Sequence, residues 1–181
     1  MERYTYRPLR FYITVFAVTW FFWLLAILCN ESSMLFLFMF FGLVTPAIVA
    51  VITVFASKNK ALKQDFKRKI VGFYRIKPRY IILAVGLFAI VVVASIGTSI
   101  LFGGSVNQFS FTEDFSFSIG GTSALLTILL ASSIEELGWR GYGEDAVGAY
   151  HNWFNESIIF GVIWACWHIP LFWVPGTYQY D

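Results

Sequence analysis

Two carboxylates stand side by side near the end of a long apolar run: residues 131–140 read Ala-Ser-Ser-Ile-Glu-Glu-Leu-Gly-Trp-Arg. A charged side chain at the centre of a membrane helix costs about 2.5–3.5 kcal/mol on insertion scales, so ionisable groups kept there are usually paired, turned inward and functional. On an α-helix Glu136 and Arg140 are i,i+4 neighbours that can pair. Glu135 points roughly 100° away and keeps its carboxylate for other chemistry. The next apolar run holds one imidazole, in Trp164-Ala-Cys-Trp-His168-Ile-Pro170. A carboxylate and an imidazole that meet inside a membrane can divide the activation of a water between them, as general base and as hydrogen-bonding partner. The competing reading puts Glu135, Glu136 and Arg140 at the membrane–water boundary, where charges at helix ends are solvated and inexpensive.

The elements that must position these groups are membrane helices. Of 181 residues, 58% are hydrophobic and 13% charged, against about a quarter charged in soluble domains, and mean hydropathy is +0.68. An integral membrane protein of one domain, residues 1–181, follows. The net charge of +2 is too small to suggest nucleic acid.

A helix needs about 20 apolar residues to cross the hydrocarbon core. Runs at 11–29, 34–56, 80–102, 118–139 and 158–174 meet or approach that length. The expected fold is therefore an all-α integral membrane bundle of about five transmembrane helices. Arg3, Arg7 and Arg10 precede the first run, and nine of the 13 basic residues fall in 57–79. The connections at 30–33 and 103–117 carry none, only Glu31, Glu113 and Asp114. The positive-inside rule then places the N-terminus and 57–79 in the cytoplasm of a cell membrane. The fourth run descends towards the cytoplasmic side with its charges near the inner boundary, and the fifth rises from there. At 1.5 Å per residue Glu135 lies about 5 Å, and His168 roughly 15 Å, from that boundary. Tilt and uncertain ends absorb the difference.

The basic stretch 57–69 reads as a topology determinant and an anchor to anionic membrane lipids. Trp139, Trp153, Trp164, Trp167 and Trp173 gather around the polar residues, and an aromatic belt at the interface accounts for most of them. Cys29 and Cys166 fall in apolar stretches and are expected to be small buried apolar residues rather than a disulfide. The Asn30 and Asn155 sequons are read as chance matches.

Glu135-Glu136-x-x-x-Arg140, followed in the next span by Trp164-x-x-x-His168, resembles the CPBP family. That family comprises CAAX proteases and bacteriocin-processing or self-immunity enzymes, also called Abi, with motifs Glu-Glu-x-x-x-Arg and Phe-x-x-x-His. Here Trp164 replaces the Phe, and the likeness runs through 131–175 in the style of bacterial members. The resemblance implies an intramembrane endopeptidase in which Glu135 is general base on a water and His168 holds that water or stabilises the oxyanion. Glu136 and Arg140 would form an internal pair that orients Glu135. It further implies a membrane-associated peptide or prenylated protein as substrate. No cofactor is expected: zinc is compatible but not specified by one His without a His-Glu-x-x-His pattern. The family's third motif, His-x-x-x-Asn or Asp, follows the second, and no such pattern occurs between His168 and Asp181. His151-x-x-x-Asn155 has the spacing but precedes the second motif, in a connection expected to be cytosolic. The chain is accordingly expected to lack the family's C-terminal helices. The alternative is a non-enzymatic membrane scaffold, immunity or regulatory protein built on the same fold.

Overall fold

Backbone amides have no water to bond within a bilayer, so a spanning segment satisfies them internally as helix. The computed structural model of this chain obeys that constraint. It describes residues 4–29, 32–72, 76–109, 124–177 and 179–180, and among these there is no β-strand. The helices are α1 (Pro8–Leu28), α2 (Ser32–Ala56), α3 (Lys60–Val71), α4 (Pro78–Leu101), α5 (Ala124–Gly138), α6 (Glu144–Gly148) and α7 (Trp153–Trp167). A π-helical turn, Trp139–Gly143, joins α5 to α6, and a 3₁₀ stretch, Ile169–Trp173, continues α7.

Among the described residues, four segments are long and apolar enough to cross a membrane: Pro8–Leu28, Ser33–Ala56, Pro78–Leu101 and Trp153–Trp173. The protein is a multi-pass membrane protein with an all-α fold. The start of the fourth expected span, 118–123, lies outside the described residues, as do Asn30, Glu31, Glu113 and Asp114.

The chain divides into two compact units, Met1–Ile70 with Ser116–Asp181, and Val71–Phe115. The second consists of α4, apolar on all sides, and a short 3₁₀ turn, Val106–Phe109. Gly103 closes α4 at φ +95°. Its N–H bonds the Ile100 carbonyl and that of Gly104 bonds Ser99, the pair of backward bonds that terminates a helix on a left-handed glycine.

In the first unit α1 packs on α2 and α2 on α5. Water exclusion cannot drive this inside lipid, so close backbone approach and polar bonds must. Pro46 lies within α2 and has no N–H to give the Gly42 carbonyl. The Thr19 hydroxyl of α1 donates to that carbonyl instead, at 3.1 Å. Gly42 itself lies under the Trp23 indole; a Cβ there would come within 2.1 Å of Trp23 Nε1. On the other side of the proline, Gly138 of α5 seats directly on the Pro46–Ala47 backbone, where a Cβ would meet the Pro46 carbonyl carbon at 2.3 Å. Gly138 thus lets the end of α5 seat directly on α2.

The segment expected as a basic loop contains α3, an amphipathic helix. Its Leu62 and Phe66 are buried, and Phe66 covers Gly141 of the π turn. The lysines and arginines of α3 occupy its other faces, which the apolar/basic alternation of Leu62, Lys63, Phe66 and Lys67 permits.

Candidate active site

α5 carries Glu135 and Glu136 on its last turn, and the π turn follows at once. The Glu144 N–H reaches back five residues to the Trp139 carbonyl. Such wide turns inside helices recur at functional sites. Here it buries Trp139, Gly141, Tyr142 and Gly143 while leaving Arg140 outside.

Arg140 pairs with both carboxylates one turn away. Its Nε donates to Glu136 Oε2 at 2.8 Å and its Nη1 to Glu144 Oε1 at 2.9 Å. The guanidinium lies over the Phe160 ring of α7, 4.8 Å from its centroid. The expected Glu136–Arg140 pair is present, and Glu144 joins it. Glu144 has the same four-residue spacing from Arg140 as Glu136, so the sequence carries a signal for this second partner too.

Glu135 points elsewhere, as its position on the helix requires. Its Oε1 accepts two indole N–H groups: Trp139 Nε1 at 3.2 Å from the π turn and Trp164 Nε1 at 2.9 Å from α7. The arginine ladder makes no hydrogen bond to it among the described residues.

His168 caps the C-terminus of α7, where Pro170 cannot continue the α-helical bonding. Its Nδ1 lies 2.8 Å from the Trp164 carbonyl. A carbonyl only accepts, so Nδ1 carries the proton and Nε2 keeps its lone pair in the neutral ring. The imidazole packs against Trp164 at 4.2 Å and Trp167 at 4.7 Å between ring centroids. Trp164 therefore touches both Glu135 and His168, through its indole N–H on one side and its carbonyl and ring on the other. The Trp167 carbonyl beside His168 takes the Trp20 indole N–H of α1 at 3.2 Å, which ties the end of α7 to the bundle.

The tryptophans correct the aromatic-belt reading. Trp139 and Trp167 are 0% exposed and Trp23 1%. They form the core of the bundle, with Trp23–Trp167 centroids at 4.6 Å, Trp139–Trp167 at 5.3 Å and Tyr12 stacked on Trp139 at 6.1 Å. Each such pair is worth about 0.5–1.5 kcal/mol beyond area burial, and in lipid this packing term decides. Trp153 and Trp173, at 77% and 59% exposed, fit the belt. Trp164 belongs to neither group.

His151 is exposed on the turn before α7. Asn155 stands in that helix's first turn, its backbone N–H donating to the Asn152 cap. Cys29 and Cys166 are each partly buried rather than buried. Among the described residues no three His, Cys, Asp or Glu side chains are grouped to hold a metal ion.

Next to the π turn, Tyr4 and Tyr142 share a hydroxyl bond at 3.1 Å, and Tyr6 donates to Asp145 at 3.2 Å. Asp145 also pairs with Lys69 of α3. Burial and the Asp145 carboxylate push the Tyr6 phenol up from its ordinary range, so it stays a neutral donor. A cavity of about 750 Å³ opens here, lined by Tyr4, Tyr6, Asp65, Asp145, Tyr150 and Glu156 among others, with neither Glu135 nor His168 in its wall.

Two comparisons bear on this arrangement. The family model for Type II CAAX prenyl endopeptidase Rce1-like proteins matches residues 117–179, which include both motifs. CAAX prenyl protease 2 of Methanococcus maripaludis is 38% identical over 185 aligned residues, taking in the whole of this chain and 68% of that protein.

Proposed function

Since the chain belongs to the Rce1-like family of CAAX prenyl endopeptidases, we propose that Glu135 is the general base of an intramembrane peptide hydrolysis and that His168 holds the attacking water. The family relation carries the class of reaction, an endopeptidase of the CAAX-protease type. The observation that carries the residue roles is Trp164, which contacts the Glu135 carboxylate and the His168 ring at once.

In this reading a water gives one O–H to Glu135 and the other to the unprotonated Nε2 of His168, which leaves an oxygen lone pair for the scissile carbonyl. As the O–C bond forms, the carbonyl π pair moves onto its oxygen and the Glu135-bound proton passes to the carboxylate; when that oxygen re-forms the carbonyl, the C–N bond breaks and Glu135 delivers the proton to the leaving amine nitrogen. The water is activated by protein groups, with no metal in the scheme. The substrate is a prenylated C-terminal peptide. Its lipid concentrates it in the plane of the bilayer, and an active site below the cytoplasmic surface meets it there. The N-terminus and 57–79 face the cytoplasm, as their basic residues require.

Glu135→Gln tests the base. It preserves shape and keeps an oxygen for the two indoles, but takes no proton. Turnover of a farnesylated C-a-a-X peptide by the full-length protein should fall by about 10²–10⁴-fold at unchanged abundance in the membrane. Wild-type turnover in this variant would end the proposal.

A further inference from the structure

We propose that Trp139 and Trp164 are positioning residues for Glu135, their two indole N–H groups fixing Oε1 so that Oε2 is the oxygen presented to the water. This rests on the reading of Glu135 as base. The terminal torsion of a glutamate is broad and two-fold, so an unheld carboxylate offers either oxygen over a wide arc. Here the two donors reach Oε1 from different elements, at 3.2 Å from the π turn and at 2.9 Å from α7. Among the described residues no donor reaches Oε2.

Both donors are themselves held. The Trp139 ring is fully buried, stacked on Tyr12 and edge-on to Phe11, Phe160 and Trp167. Trp164 is bonded through its own carbonyl to His168 Nδ1. The donor that aims the carboxylate and the acceptor that sets the imidazole tautomer thus belong to one residue, and the orientations of Glu135 and His168 are set together. A phenylalanine at 164 would keep the ring contact with His168 and lose the donor, so the N–H separates positioning from packing. Trp164 is 40% exposed, so losing its one indole hydrogen bond costs little stability. A displaced catalytic group, in contrast, costs up to about 100-fold in rate.

The test replaces Trp164 by Phe, and separately by benzothienylalanine, which keeps the bicyclic shape and carries sulfur in place of N–H. Both are made in the full-length protein and assayed on a farnesylated C-a-a-X peptide. The expected result is a fall in kcat of about 10- to 100-fold in both variants with KM unchanged. The double variant with Glu135→Gln should lose nothing beyond Glu135→Gln alone, because positioning acts only through the carboxylate. Wild-type kcat in the benzothienylalanine protein, a loss confined to KM, or a full further loss in the Glu135→Gln background would each overturn the assignment. Failure of the underlying reading is distinct: Glu135→Gln itself would then retain wild-type turnover. Trp173→Phe, a change at an exposed ring away from Glu135, serves as the control with unchanged kcat.

Discussion

Arg140 stands between Glu136 and Glu144 with its plane on Phe160, and that geometry changes what each substitution should do. Were Glu136 the only partner, Glu136→Gln would leave an unpaired guanidinium. Glu144 remains, however, so the loss in Glu136→Gln should be small. The three side chains are 53%, 44% and 37% exposed, where solvent screening holds each pair to about 0.2–1 kcal/mol. Arg140→Gln removes both pairs and the ring contact, and leaves Glu136 and Glu144 without the cation that stands between them. The expected order of membrane abundance by quantitative immunoblot is wild type, then Glu136→Gln, then Arg140→Gln. Arg140→Lys should fall short of wild type, because an ammonium cannot serve two carboxylates and a ring with one planar fork. Equal abundance of Arg140→Gln and wild type would show that the ladder contributes nothing to folding.

At the scale of elements, the seat of α5 on α2 is the contact that delivers Glu135. Gly138 lies on backbone atoms of Pro46 and Ala47, which cannot rotate away as a side-chain end can. Gly138→Ala forces the two helices apart at the turn that carries the carboxylates, at a cost of about 1–3 kcal/mol for overpacking. A lower Tm in detergent and reduced peptidase activity are expected together. Gly161→Ala is the matched control, because nothing lies within 4 Å of the added methyl; its Tm should not fall. An unchanged Tm in Gly138→Ala would mean that α2 and α5 are not in contact at this glycine. The same logic explains the second close approach: Gly141 under Phe66 lets α3 lie on the π turn.

At the scale of the molecule, orientation decides whether the site meets cytosolic substrates. The proposed topology places α3 inside the cell, and its packing selects the probe. Phe66 is buried against the π turn, whereas Lys67 is exposed. With Cys29 and Cys166 replaced by Ala, a Lys67→Cys protein should react with a membrane-impermeant maleimide only after the cells are opened. Labelling at that position on intact cells would reverse the orientation, and with it the cytoplasmic delivery of the substrate.

The sequence by itself determined the features that are local or compositional. Apolar runs of near-spanning length can only be helices in lipid, so the all-α membrane fold was legible from composition. The Glu136–Arg140 pair follows from the helical repeat, and the two motifs in order mark the family. Tertiary structure decided which tryptophans are core and which face outward. In a chain where lipid-facing and core-facing positions are equally apolar, no polar contrast separates Trp139 and Trp167 from Trp153 and Trp173. It also decided the bond from Trp164 to Glu135, which joins residues 29 apart, and the seating of α3 on the π turn through Phe66 and Gly141. Each of these is a contact between distant segments, and helical periodicity carries no record of which segments will meet.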